Sequence, residues 1–186
     1  MYSELLRDFG KLYCLNECSK IFAGRSIASK DLVDEPAGQC PARYIRIRDA
    51  RRGFASRGYN WVGAAILSAI EPELRLLAGD VLLSKSGITA TAGIVRDGAV
   101  GGVAGNGLYV VRVDHEQLDP HFLVAYFASS ACQKWLAAQS RVIAIQHFSE
   151  LPVPLLPLSL QHHVAMQSLE HSTDVLDILR STRQKD

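Results

Sequence analysis

Apolar and polar positions alternate between Tyr44 and Arg48, with Ile45 and Ile47 on one side and Tyr44, Arg46 and Arg48 on the other. That is the two-residue period of a half-buried strand, one face packing and the other presenting guanidinium groups. Short apolar runs follow at 81–83, 92–95, 102–104 and 108–113, set off by Gly79-Asp80, Ser86-Gly87 and Gly105-Asn106-Gly107. Each run is predicted to be a strand, and the Asn-Gly pair is predicted to join the last two as a tight hairpin. Upstream, residues 24–42 read as a loop. From Asp119 the period changes. Pro120 suits a helix start, and Phe122, Leu123, Tyr126 and Phe127 recur at helical spacing; a second short helix, 131–138, carries Trp135. Three of the seven prolines, Pro152, Pro154 and Pro157, make 151–157 an extended connector. Ser159 then caps a helix predicted to run to Arg180, along which His162, Ala165, Leu169, Ser172, Leu176 and Leu179 keep coiled-coil spacing. Ala165, Leu169, Leu176 and Leu179 are the expected contacts to a partner helix. The pattern as a whole predicts an α+β fold. A twisted β-sheet domain with short helices spans 1–157, and a C-terminal coiled-coil-like interaction helix spans 158–186.

Composition narrows the partners. A chain of 186 residues that is 48% hydrophobic can bury one sizeable core. The net charge of +1 means that a polyanion site has to arise from local charge. Between 43 and 57, six arginines (Arg43, Arg46, Arg48, Arg51, Arg52 and Arg57) face a single acid, Asp49, a local charge of +5. Tyr44, Phe54 and Tyr59 are interleaved among them, which fits a DNA-facing strand and loop. The cysteines at 14, 18, 40 and 132 lack paired metal-site spacing and are expected as buried, unpaired thiols. The charged start MYSELLRDFGK lacks the apolar run of a secretory leader, and no apolar run approaches membrane-span length, so a cytoplasmic chain without membrane association is expected.

Catalytic constellations are missing. The glycine-rich stretch 98–107 lacks G-x-G-x-x-G, and the chain has neither a phosphate-binding P-loop nor the N/D-P-P-Y/F tetrapeptide of amino-methyltransferases. Asp80 and Lys85 lack the second acid that a metal-dependent nuclease needs. His162, His163 and His171 read as a solvated helix face, so neither a metal nor another cofactor is expected. What is present suits phosphates and base edges. Besides the arginines, the 84–91 loop offers Lys85, Ser86, Thr89 and Thr91, and Arg141, Gln146 and His147 form a third polar cluster.

Three blocks in order, YIRIRDARRG at 44–53, LLAGDVLLSKSGITATAGIV at 76–95 and LPVPLLPLSLQHHVA at 151–165, resemble the target-recognition unit of type I restriction-modification specificity (S) subunits. The middle block carries the resemblance through Gly79, Asp80, Ser84, Ser86, Gly87 and Gly93, and 119–136 falls where that family has a short helical pair. The resemblance implies a non-catalytic subunit that recognises double-stranded DNA. It would direct a separate DNA adenine methyltransferase subunit and, where present, a restriction subunit; it also implies that the turn near Arg141 approaches DNA. The family strings two recognition units together, whereas this chain has one. A half-size member is implied, with a second unit from another chain or from a homodimer through the C-terminal helix. Gln161 keeps the family's glutamine, but Leu160 stands where its acid usually sits. Two other classes are open: a protein-interaction scaffold or regulator that keeps the fold without strong DNA binding, and an enzyme with its own hydrolytic site.

Overall fold

The computed structural model describes Phe9 and residues 11–36, 41–50, 54–55, 60–85, 91–139 and 142–183. They fall into two compact units, one formed by residues up to Lys20 and from Arg112 onward, the other by Ile21–Lys85 and Thr91–Val111.

The second unit is built on two sheets. In the five-stranded sheet the order is β2 (Ser19–Ala23), β10 (Leu108–Val113), β7 (Val81–Ser84), β8 (Ala92–Val95) and β5 (Phe54–Ala55). Every residue of β7 is buried, because it lies between antiparallel neighbours, Val81 pairing with Val111 on one side and Ile94 on the other. The four-stranded sheet runs β3 (Leu32–Val33), β6 (Asn60–Val62), β4 (Arg43–Ile45), β9 (Val103–Ala104), the last pair parallel. The segment expected to be loop, 24–42, thus supplies a short edge strand.

The strand expected over 44–48 ends at Ile45, and Ile47–Ala50 forms one turn of helix, α1. The strand is also buried on both faces. Ile45 packs with Leu82, Leu108 and Val110, whereas Tyr44 packs with Val62, Leu67, Ile70 and Val103. A central strand with both faces covered hides the polar alternation that an edge strand would display. The Asn106-Gly107 turn is likewise not a hairpin. β9 pairs with β4 and β10 with β7, so the turn carries the chain from one sheet to the other. The crossing is tight: Arg25 bridges to Gly105, and a Cβ on Gly24 would lie 2.1 Å from the Gly105 carbonyl oxygen.

The first unit pairs β1 (Tyr13–Cys14) with β11 (Pro152–Val153), so part of the proline-rich connector is a strand. Its helices are α3 (Pro120–Ala128), α4 (Ser130–Ala137), α5 (Ile145–Ser149), α6 (Leu158–His171) and α7 (Val175–Arg183); α2 (Ala64–Ser68) belongs to the second unit. Helix α3 is the axis. Phe122 to Phe127 are all buried, as expected for a helix that is apolar all round, and α4, α6 and α7 pack on it. Gln161, fully buried, pins α6 in place. It accepts from the Asp119 N–H (2.9 Å) and donates to the carbonyls of Gln117 (2.8 Å) and Leu156 (2.7 Å).

The helix expected from Ser159 to Arg180 is two helices. Ser172 adopts a left-handed conformation (φ 53°) that ends α6, and Asp174 starts α7 by accepting from the Leu176 N–H at 3.0 Å. Its second oxygen accepts from the Ser130 N–H at 2.8 Å. The seam expected to face a partner is therefore divided. Ala165, Leu176 and Leu179 are buried within the chain at 1% exposure or less, and Leu169 alone of the four stays open, at 38%. The expected boundary at 157/158 falls inside this unit. Cys18 and Cys132 are buried free thiols, whereas Cys14 is exposed. Among the described residues, no helix is long and apolar enough to cross a membrane.

Candidate nucleic-acid interface

The described arginines of the basic segment gather where β4 turns into α1. Each is positioned by an aromatic ring or by Asp49. The Arg43 guanidinium lies 4.3 Å from the ring centre of Trp61, its cross-strand neighbour, and that of Arg46 lies 5.4 Å from the ring of Tyr44. Both distances are within cation–π range. Tyr44, expected to face DNA, is instead a buried anchor whose hydroxyl donates to the Arg25 carbonyl at 2.9 Å. Its ring is a fixed floor beneath Arg46.

Asp49 holds the corner from inside. Its side chain is 1% exposed and accepts from the Arg46 N–H at 2.8 Å, and Arg48 Nε stands 4.0 Å from its other oxygen. Burial raises the Asp49 carboxyl above its ordinary range, while the Arg46 N–H and the Arg48 and Arg46 charges pull it back. Arg48 is half exposed, at 52% of its side chain.

Beside these arginines runs a hollow of about 390 Å³, lined by Tyr44, Arg46, Ile47, Arg48 and the Gly105-Asn106-Gly107 turn. The glycines keep it open. A Cβ on Gly107 would come 2.6 Å from Ile47 Cδ1, and one on Gly105 would come 3.1 Å from the Tyr44 hydroxyl. Asn106, exposed at the tip, offers an amide that can pair with a base edge. In the sequence it reads only as a turn residue, because nothing in the spacing brings 106 next to 46.

Lys85 reaches the same turn. Its N–H donates to the Gly107 carbonyl at 3.0 Å, its ammonium sits 4.5 Å from the centre of the Tyr109 ring, and burial lowers its pKa. Thr91 closes the base of the 84–91 loop: its N–H donates to Ser84 Oγ (2.9 Å) and its carbonyl accepts from the Ser84 N–H (2.9 Å). Its own hydroxyl is buried without a hydrogen-bond partner among the described residues. Gln146, exposed, and His147 lie on α5 in the first unit, apart from the others in the chain's division. Arg51, Arg52, Arg57, Ser86, Thr89 and Arg141 lie outside the described residues.

No family model and no curated protein sequence matches the chain. Solved structures do. The HsdS subunit from Thermoanaerobacter tengcongensis superposes with a TM-score of 0.64 at 18% identity, over 94% of this chain and 37% of that one. A chain from a structure on complex assembly and conformational transition of the type I R-M system gives 0.68 at 17% identity, over 99% and 47%. The type I restriction-modification S subunit from M. genitalium gives 0.51 at 12% identity, over 84% and 37%. The chain spans less than half the length of each of these proteins. Over nearly all of its own length it has the α+β fold of type I restriction-modification S subunits.

Proposed function

We propose that this chain recognises a specific sequence in double-stranded DNA, as the specificity subunit of a type I-like restriction-modification system. The supporting observation is the S-subunit fold joined to an arginine corner at which Asp49, the single acid in the sequence from 43 to 57, turns inward. Arg43, Arg46, Arg48 and Lys85 would grip phosphates and base edges around the hollow, with Asn106 at its rim. Arg51, Arg52, Arg57, Ser86, Thr89, Thr91, Arg141, Gln146 and His147 are assigned the same role on sequence grounds. Residues 1–157 carry recognition in this reading, and 158–186 form the element offered to partner subunits. Those partners would be a DNA adenine methyltransferase subunit and, where present, a restriction subunit, all in the cytoplasm. With Leu176 and Leu179 already buried, pairing of copies has to use the outer faces of the last two helices.

Selection from a random duplex library tests the proposal. A single enriched motif is the expected result, and recovery of an unenriched pool would overturn it. The isolated chain, given S-adenosylmethionine, Mg²⁺ and ATP, is expected neither to methylate nor to cut the selected duplex.

A further inference from the structure

Three metal-ligating side chains converge at the junction of α3 and α6, in the unit that does not hold the arginine corner. Asp119 Oδ2 lies 2.8 Å from His162 Nδ1, and Asp119 Oδ1 lies 3.2 Å from His121 Nδ1. One ligand atom from each of the three residues falls within 4.8 Å of the others. We propose that Asp119, His121 and His162 bind one divalent transition-metal ion of the zinc type, clamping the first turn of α3 to the first turn of α6.

The donor set selects the class of ion. Two imidazoles and one carboxylate suit zinc, cobalt, nickel or copper, whereas magnesium and calcium prefer all-oxygen shells. Ligand atoms about 2.0–2.2 Å from a tetrahedral zinc are about 3.3–3.6 Å apart. The contacts to Asp119 are shorter than that and use its two different oxygens, while the ligand atoms as a set lie within 4.8 Å, so the side chains have to turn to converge on one ion. Entry of the ion takes the place of the hydrogen bonds between the carboxylate and the imidazoles; a proton on Nδ1 of a neutral imidazole moves to Nε2 as Nδ1 becomes a ligand. Three protein ligands leave a fourth position for water, or for His115, which lines the same hollow.

The site is held before any ion arrives. The Asp119 N–H is fixed by buried Gln161, and Asp119 Oδ1 accepts from the His121 N–H at 2.7 Å. Gln161 in turn is tied to the carbonyls of Gln117 and Leu156. The three ligands are thus carried on helix starts locked to each other, the rigid outer shell that a metal site requires. Access is open, because Asp119 is 12% exposed while the His162 side chain is 58% exposed. The sequence concealed this. His162 reads as one of three solvated histidines, and its two companions sit about forty residues away at a helix start.

Zinc titration of the chelator-treated full chain by calorimetry, without DNA, tests the site and is independent of the DNA-binding proposal. Expected are one ion per chain and a zinc-dependent rise in melting temperature. His121→Ala and His162→Ala should each weaken binding by about tenfold or more, the scale of losses at metal sites. Asp119→Asn keeps a helix-capping side chain and removes the anionic ligand. It should weaken binding while its melting temperature in chelator stays near that of wild type. A His163→Ala, His171→Ala double variant should bind as wild type does. Absence of saturable binding, or an equal loss in the His163/His171 variant, would overturn the proposal.

Discussion

The arginine corner at Arg43–Asp49 and the two C-terminal helices carry patterns that invite a partner, yet the fold treats them in opposite ways. The helices satisfy themselves. Their leucine stripe breaks at Ser172, and Leu176 and Leu179 end up buried in the first unit, where α7 packs on α3 and α6. The corner is held in another way. Its single acid, Asp49, already serves Arg46 and Arg48 from below, and the guanidinium groups of Arg43 and Arg46 lie over aromatic rings. An apolar stripe about two heptads long can be absorbed by its own chain. Six arginines against one acid between 43 and 57 are a concentrated positive charge in a nearly neutral chain, and so the better sign of an anionic external ligand.

The contrast breaks most sharply at the leucines. Leu176→Ala and Leu179→Ala should each cost about 2–5 kcal/mol in urea unfolding, the range for emptying a buried leucine site. Leu169→Ala, at 38% exposure, should cost less than about 1 kcal/mol. The reverse ranking, with Leu169→Ala abolishing self-association in sedimentation, would restore the partner seam. Next comes Gln161→Leu, which strands the Asp119 N–H and the Gln117 and Leu156 carbonyls. These bonds are part-buried, so each group left unpaired costs at most about 1–3 kcal/mol, again read by urea unfolding.

The smallest effect sharpens the other side. Asp49 has its carboxyl raised above 3.8 by burial, so the folded state holds its proton to higher pH than the unfolded chain does. The cost of keeping it charged is fully present above its folded pKa and disappears as pH falls through that value toward 3.8. The stability of Asp49→Asn relative to wild type should accordingly rise with pH across this window and then level off. A difference that is flat with pH would mean that the carboxylate is not held in a desolvated place.

Much of the fold was legible where periodicity is strong. The buried runs at 81–84 and 92–95, and the helix that begins at Pro120 behind its Asp119 cap, stand close to where alternation and capping place them. What the sequence hid was mostly long-range. Tyr44 looks outward in a strand pattern because nothing local reveals a second core containing Val62 and Ile70 on that face. The Asn-Gly turn reads as a hairpin, because pairing partners at 43–45 and 81–84 are invisible from 103–108. The convergence of Asn106 on Arg46, and of Asp119 on His162, depends on the same tertiary placement.

Salt dependence tests the DNA-binding claim most directly. The equilibrium constant for the selected duplex is measured across a series of salt concentrations for wild type and for an Arg46→Ala, Arg48→Ala variant. A steep fall with salt is expected for wild type, since each phosphate neutralised contributes about 0.9 to the log–log slope. The double variant should show a slope shallower by about two, together with weaker binding. A wild-type constant that does not change with salt, or an unchanged slope in the variant, would contradict DNA recognition at the arginine corner.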